Sequence, residues 1–326
     1  MTLAQGRGSR LMLLKGSLAA LGIPSRVVLV RPFTTDPAAY RFAGAELFNY
    51  AALQVKTAAE GEVLLAPGIR HAPFGRIAPQ AQGQEAMVLP ETGEKPLALK
   101  TAGSREADGK HVALQLSLSA EGTLSGKGVE TYRGLEAAFL RATLERMNQE
   151  QRHQALEAAI ARTFENGALT ELAIEETEEP GSPVVFRFSF VAPGFARADG
   201  DGRIIVPHGI YPSSFARRFL HQFERRTPLL IGNPEKLDLE VELELPQGAT
   251  LAGAPQSFKL ETPFGRFERT EQASPGRFSV RQSSSLSMTR VAPEQYRAFG
   301  EILIAADQAE QREVVFQAAP STVAAR

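Results

Sequence analysis

The sequence predicts an α+β fold, with a small helix-and-sheet domain over residues 1–95 and a larger β-rich domain over residues 96–326. Two observations lead to this prediction. Apolar residues at helical spacing precede Gly22 and are followed by a valine-rich run, which indicates a helix that packs on a sheet. After residue 95, short segments of alternating apolar and polar residues are separated by turn residues, as in a β-sandwich. A chain of 326 residues is long enough for both domains.

The elements of the first domain follow from hydrophobic spacing and from turn residues. One helix is predicted before Gly22, followed by a buried strand at Val27–Val30. Two further strands are predicted at Phe48–Val55 and Glu62–Leu65. Residues 69–96 contain four prolines and are predicted to be loop, so the domain boundary is placed near residue 95.

The second domain is predicted to begin with a hairpin, Val112–Leu118 and Leu124–Tyr132. Two inserted helices are expected within residues 134–165, and a late helix is expected over residues 293–306. The remaining predicted segments alternate or are short and apolar, and we predict them to be strands: 184–191, 237–245, 256–261, 265–269, 277–284 and 314–316.

Composition excludes several classes of function. The chain contains no cysteine, which excludes a thiolate nucleophile, a disulfide, an iron–sulfur cluster and a cysteine zinc site. Its formal net charge of -1 gives no electrostatic case for nucleic-acid binding. We expect no transmembrane segment, no signal peptide in residues 1–10, no metal and no cofactor.

The first ninety residues contain short motifs at characteristic spacing: Leu21-Gly22-Ile23-Pro24, Phe48-Asn49, Leu65 with Pro67, His71-Ala72-Pro73-Phe74-Gly75 and Gln82-Gly83. This stretch resembles the transglutaminase-like domain, a papain-type fold, of bacterial multidomain proteins. The resemblance implies a cysteine nucleophile at the start of the helix, a histidine base after Phe-Asn, and an aspartate between Leu and Pro.

The three catalytic positions that the resemblance implies hold other residues here. The nucleophile position falls at Arg7, or at Gly8 if the helix start shifts by one residue. The histidine position is Tyr50, and the aspartate position is Ala66. Tyrosine, with a pKa of about 10, is a poor base at neutral pH, and alanine offers no acceptor to orient a base. These replacements predict a pseudoenzyme with a degenerate triad.

From residue 95 onward, the hairpin before Tyr132, the helices after it and the stretch 296–307 resemble the β-rich domain that follows in the same bacterial proteins. Those proteins usually carry an export signal and another N-terminal β domain. The resemblance therefore implies that the first domain is N-terminally incomplete, that the chain is a truncated product or a fragment, and that it belongs to the periplasm or cell envelope.

The main functional hypothesis is a non-catalytic binding or scaffolding protein with a protein or peptide partner. The candidate residues for binding in the degenerate cleft are Arg7, Ser9, Asn49, Tyr50 and His71. Arg7 could bind an anion at the helix N-terminus, whereas Tyr50 could instead fill the cleft. One alternative is a cysteine-free hydrolase that uses Ser9 as nucleophile and His71 as base. Another is a glycan- or protein-binding β-sandwich.

Four further motifs have simpler structural explanations. Asp199–Gly202 lacks the ligand spacing of a calcium loop and is predicted to be a tight turn. Gly126-Lys127-Gly128 lacks the phosphate-loop spacing and lies in the predicted hairpin. Arg217–Arg226 is basic and aromatic, and it indicates either an anionic partner or solvated arginines beside an apolar face. The alternating glutamates within 240–244 are typical of the solvent-facing side of a strand.

Overall fold

The computed structural model describes residues 8–39, 42, 44–91, 93, 95–103, 108–175, 179, 181–199 and 201–318. Of these residues, 40% lie in strands and 23% in helices, so the protein is mostly β and the predicted α+β class is wrong. Two strands, Glu85–Val88 and Leu97–Lys100, lie in or directly after the stretch predicted to be loop. They escaped prediction because they are short and rich in alanine, leucine and methionine rather than β-branched residues. Within the described residues, no helix has the length and apolar character needed to cross a bilayer.

The chain divides into two compact units. The first comprises residues 1–109, 133–143 and 177–183, and the second comprises the rest. Most of the first unit is built from one helix and five strands: α1 Arg10–Ala20, β1 Ser25–Val30, β2 Tyr50–Thr57, β3 Gly61–Leu65, β4 Glu85–Val88 and β5 Leu97–Lys100. The strands form one antiparallel sheet in the order β3-β2-β1-β4-β5. The helix α2, Gly134–Leu144, belongs to this unit through residue 143.

The helix α1 ends just before Gly22, as the sequence predicts, and it begins at Arg10, after the Arg7 or Gly8 start that the resemblance implies. Ser9 is its N-cap, and Gly22 adopts a left-handed φ of 70° just after its end. No α1 residue is fully buried, although the helix contacts β1 and β2. Lys15 Nζ donates a hydrogen bond to the carbonyl oxygen of Ser25 at 2.8 Å, tying the helix to the first strand.

A small core lies on one face of the first sheet, and it determines the site described below. Val28, Val30, Ala86 and Val88 contribute the strand side of this core cluster. The loop between β3 and β4 covers them with two more apolar residues, Ile77 and Ala81. The predicted loop therefore packs against the sheet, and it contains a short 3-10 helix at Pro79–Ala81.

The second unit contains the two long strands of the predicted hairpin and most of the β structure: β6 Gly109–Leu118, β7 Leu124–Arg133, β8 Ala168–Glu175, β9 Val184–Ala192, β10 Arg197–Ala198, β11 Arg203–Val206, β12 Leu229–Ile231, β13 Glu235–Glu244, β14 Thr250–Leu251, β15 Ser257–Thr262, β16 Gly265–Ser274, β17 Arg277–Leu286, β18 Thr289–Val291 and β19 Val314–Gln317. Its helices are α3 Gln149–Thr163, α4 Phe215–Phe219 and α5 Tyr296–Glu310. The strands form an eight-stranded sheet in the order β15-β16-β17-β13-β6-β7-β9-β8, a four-stranded sheet β10-β11-β19-β14, and a β12-β18 pair.

The eight-stranded and four-stranded sheets pack against each other through fully buried side chains. Phe278 on β17 meets Phe316 on β19 edge to face, with ring centroids 5.5 Å apart. The helix α5 covers the β15–β17 end of the larger sheet, where Phe299 and Leu303 join Phe267 in a second core cluster. This layered packing is compatible with the predicted β-sandwich.

Candidate functional site

Tyr50 occupies the position of the implied base and is fixed in the core of the first unit. It begins β2, pairs with Val30 on β1, and packs against the core cluster that contains Ile77. Its hydroxyl accepts a hydrogen bond from the backbone N–H of buried Ala78 at 3.1 Å. Burial raises the pKa of Tyr50, although the hydrogen bond from Ala78 partly offsets this. The hydroxyl therefore stays protonated at neutral pH and cannot act as a base there.

Ala66 directly follows β3 and packs against the same core cluster as Tyr50. The structure thus places the implied base and orienter positions around one small core, but neither side chain offers a carboxylate or an imidazole. Arg7 lies outside the described residues, so its predicted role stays a prediction. Gly8 is described, and it adopts a positive φ of 126° just before α1.

Ser9 serves as the N-cap of α1, with its Oγ accepting a hydrogen bond from the backbone N–H of Met12 at 3.4 Å. This role explains its presence without any chemistry. His71 is half-buried in a turn in which the N–H of Ala72 donates to the carbonyl oxygen of Ile69. It has a left-handed φ of 61°. Asn49 is exposed, and its Nδ2 donates to Thr35 Oγ1 at 3.4 Å. The assignment of these three residues to a binding cleft stays a prediction.

A groove of about 480 Å³ opens on the same sheet face as Tyr50. Tyr50, Ala52 and Gln54 alternate along β2, so their side chains point to one face, and Gln54 lines the groove. Apolar members of the groove wall also belong to or border the core cluster: Leu64, Ile77 and Leu99. The groove therefore borders the core cluster against which Tyr50 packs.

Polar side chains in the groove are held by one another. Gln54 Nε2 donates to Glu62 Oε2 at 2.7 Å, and Arg26 donates to Gln54 Oε1 at 2.9 Å. On the other wall, buried Thr101 donates through Oγ1 to the carbonyl oxygen of Ala81 at 2.6 Å. These hydrogen bonds fix the wall before any ligand arrives, which lowers the entropic cost of binding.

One rim of the groove is formed by residues 99–103, which include the end of the edge strand β5. In the described part of the chain, β5 pairs with β4 on one side only. An edge strand presents backbone donors and acceptors to which an extended polypeptide can add. Lys100 is exposed on this rim, and Glu62 is exposed on the groove wall.

The other sequence motifs have structural roles. Asp199 Oδ1 accepts hydrogen bonds from the backbone N–H groups of Asp201 and Arg203, which forms the predicted tight turn between β10 and β11. The region of the chain covered by the structure contains no cluster of metal-ligating side chains. Gly126 lies inside β7, where a Cβ atom would come within 2.4 Å of the carbonyl oxygen of Gln115. Its glycine is required by close strand packing.

The exposed face of the eight-stranded sheet is polar along β13 and β17. The glutamates of the predicted stripe, Glu240, Glu242 and Glu244, are exposed, while Leu239, Val241 and Leu243 between them are buried. Opposite them on β17 lie Ser279 and two arginines, Arg277 and Arg281. This part of the face, on β13 and β17, carries no aromatic side chain on which a sugar ring could stack, which counts against the glycan-binding alternative.

Sequence reasoning missed a buried charged network in the second unit. Glu310, at the end of α5, is fully buried and accepts hydrogen bonds from Ser213 N (2.5 Å), Ser213 Oγ (2.7 Å) and Gln282 Nε2 (2.5 Å). Its burial raises the pKa of the carboxyl, and the hydrogen bonds from Ser213 and Gln282 only partly oppose this. Glu310 thereby ties the loop before α4 to the end of α5.

The same network contains two arginines and a second acid. Arg269 Nη1 donates to Gln282 Oε1 at 3.0 Å, and its Nε lies 3.7 Å from Glu271. Arg312 also pairs with Glu271. The alternation of Phe267, Arg269 and Glu271 on β16 was the available signal, because these residues share the inward side of the strand.

A second missed cluster surrounds Glu130 on β7. Tyr211 and Tyr132 donate their hydroxyl hydrogens to Glu130 at 2.6 Å and 2.7 Å, and Lys110 Nζ lies 2.9 Å from the same carboxylate. Burial opposes ionisation of Glu130, but the charge of Lys110 and the hydrogen bonds lower its pKa overall. Burial and the neighbouring Glu130 raise the pKa of Tyr211 well above 10. Neither the Glu130 cluster nor the Glu310 network lines the groove, because the groove is lined by residues of the first unit alone. We therefore assign both networks to stability.

Comparisons with known proteins give a domain-family match for part of the chain. Residues 203–316 match DUF3858, a domain of unknown function with a solved structure. The match covers just over a third of the chain and runs from β11 to β19, so it contains the Glu310 network. No protein with a curated description matches the chain.

The chain is also distantly similar to a crystal structure described as a "putative protease" from Parabacteroides distasonis. The identity is 12% and the TM-score is 0.47, with 97% of this chain and 45% of that protein covered. The chain thus spans less than half the length of that protein. A TM-score this low carries no functional argument, and the multidomain transglutaminase-like architecture stays a prediction.

Proposed function

We propose that the chain is a non-catalytic binding protein whose first unit holds an extended polypeptide in the groove beside β5. The observation that carries the proposal is the fixed and protonated state of the Tyr50 side chain. In the position implied for a catalytic base, its protonated hydroxyl is fixed to the N–H of Ala78 and its ring packs into the core.

Lack of catalysis is supported by the chemistry of the neighbouring positions. A nucleophile needs a base, and the base needs an acceptor that orients it. Ala66 provides no acceptor, and Ser9 Oγ accepts the N-cap hydrogen bond of α1. The hydrolase alternative therefore depends on His71 alone as its base.

A polypeptide ligand is supported by the shape and the composition of the groove. The apolar part of the groove wall suits the side chains of a peptide. The side of β5 that pairs with no strand of the described chain suits the backbone of that peptide. The charges of Glu62 and Lys100 are exposed and can select the charges of a ligand.

Selection of binders from a displayed peptide library, followed by calorimetry on the purified chain, tests this assignment. Ala102→Trp fills the groove, and Lys100→Glu reverses a charge on its rim. We expect each variant to weaken binding at least about tenfold, which is the effect of losing one well-placed contact. Lys127→Glu, an equivalent reversal in the second unit, is the matched control and should leave the affinity unchanged. Equal affinities for all three variants and the parent chain would exclude the groove.

Catalysis is tested separately, by incubating the chain with amide and amine-acceptor substrates. We expect no turnover above the blank. Turnover that disappears in Ser9→Ala or in His71→Ala would establish the hydrolase alternative and contradict the non-catalytic assignment.

The envelope location is the part of the proposal that rests on the family resemblance alone. Fractionation of the source cells with an antibody against the chain tests it. Recovery with periplasmic and envelope markers is expected, and recovery with cytosolic markers would count against it.

A further inference from the structure

A loop in the second unit presents an unusually exposed aromatic side chain. Phe223 is 97% exposed, whereas no other large hydrophobic side chain in the described residues exceeds 74%. It lies in residues 220–228, between α4 and β12, which we call the Phe223 loop. Burial of an entire phenyl ring is favourable, so this ring would stabilise a complex with a partner that covers it.

The Phe223 loop is anchored at both ends. At its start, Leu220 packs against the second core cluster, and the hydroxyl of buried Tyr296 donates to the carbonyl oxygen of Gln222 at 3.0 Å. At its end, the guanidinium of Arg225 lies 5.6 Å from the centre of the Tyr296 ring, and the chain then enters β12. These contacts, on both sides of Phe223 in the sequence, hold the loop that presents Phe223 to solvent.

Arginines flank this apolar tip along the chain. Residues 217–226 contain four arginines and one glutamate. Arg218 pairs with Glu235, but exposed Arg217 and Arg226 make no ion pair with any carboxylate of the described chain. An apolar side chain with arginines before and after it in the sequence is complementary in chemistry to a surface that has phosphates outside and hydrocarbon beneath.

We propose that the Phe223 loop docks the protein on an anionic phospholipid surface, with Phe223 inserted below the headgroups and Arg217 and Arg226 beside the phosphates. A stable protein interface needs a patch of about 800 Å² per partner, with its anchor in a desolvated centre. A narrow loop whose tip neighbours, Gln222 and Glu224, are exposed and polar does not provide such a centre. A lipid surface needs no preformed pocket and accepts a single protruding ring, which gives weak and reversible binding.

Vesicle co-sedimentation at millimolar lipid tests the docking with the whole chain. We expect binding to vesicles of phosphatidylcholine with phosphatidylglycerol, and little binding to phosphatidylcholine alone. Phe223→Ser should lower the partition coefficient about tenfold, since it removes the inserted ring. The double variant Arg217→Ala/Arg226→Ala should lower it roughly 30-fold at low salt, by the loss of two cations near the surface.

Matched controls exist in the same chain. Phe74→Ser removes another exposed ring, in the first unit, and Arg277→Ala/Arg281→Ala removes two exposed arginines from the sheet face. Both controls should partition like the parent chain. If a control weakens binding as much as the loop variants do, non-specific adsorption explains the result and the docking proposal is wrong.

Insertion itself can be measured, because the chain has no tryptophan. A Phe223→Trp variant carries a single tryptophan, whose emission should shift to the blue and be quenched by brominated acyl chains. A Phe74→Trp variant should show neither change. Unquenched tryptophan at position 223 would overturn the proposal, as would absence of binding of the parent chain to the anionic vesicles.

Discussion

Removal of the Tyr50 hydroxyl should destabilise the first unit measurably. Tyr50→Phe keeps the ring that packs against the core cluster and deletes only the oxygen that accepts from Ala78 N–H at 3.1 Å. Ala78 is buried, so its N–H would lose its partner without gaining water. An unsatisfied buried backbone donor costs about 1–3 kcal/mol, and we expect about 1.5 kcal/mol.

Urea unfolding followed by circular dichroism measures this change, and hydrogen exchange at the Ala78 amide localises it. Tyr296→Phe is the matched control. Its hydroxyl donates to the carbonyl of exposed Gln222, which water can rehydrate, so its loss should cost less than about 0.5 kcal/mol. If Tyr50→Phe costs no more than Tyr296→Phe and the Ala78 amide stays protected, the hydroxyl is not held in the core and the reasoning fails.

Three further predictions concern stability. Glu310→Ala should lower the free energy of unfolding, measured in urea, by about 3–5 kcal/mol. The reason is that three hydrogen-bond donors and the nearby Arg269 would lose their buried carboxyl partner. A loss of less than about 1 kcal/mol would contradict this. The folded-state pKa of Glu310 is raised above the ordinary value of 4.5, so its stabilising contribution is present at low pH and is lost as the pH rises through the folded pKa. The parent chain should therefore gain stability relative to Glu310→Gln as the pH falls from neutral to 4.5, and a constant difference over that range would refute the assigned pKa direction. Gly126→Ala should destabilise by at least about 1–3 kcal/mol through its clash with the Gln115 carbonyl, whereas Gly16→Ala in α1, with open space around it, should stabilise by about 0.5–1 kcal/mol; the same sign for both would contradict the packing argument.

Local sequence signals predicted many elements well. The helix before Gly22 is confirmed as α1, and the alternation of Leu239, Val241 and Leu243 with glutamates is confirmed in β13. Both depend on short-range periodicity and on a stop residue, which the sequence displays directly. The short strands β4 and β5 lack such a signal, because their alternation extends over only four residues and includes alanine, methionine and leucine.

The candidate site was harder to predict than the elements. Spacing identified Tyr50 and Ala66 as positions of interest, and the structure places both around one core. The groove beside them could not be predicted, because it brings together residues of β2 and the 99–103 segment that are far apart in sequence. Glu310 and Arg269 were missed because charged residues at inward positions resemble solvent-facing ones until their partners on other elements are known.

Recovery of a bound polypeptide from the protein can show whether the first unit binds a peptide without altering it. A selected peptide is held with excess protein for hours, released by denaturation and weighed by mass spectrometry. We expect the peptide to be retained by the parent chain, to be lost from Ala102→Trp, and to be recovered with its mass unchanged. Cleaved or cross-linked peptide from the parent chain, absent from His71→Ala, would contradict a non-catalytic role for this protein.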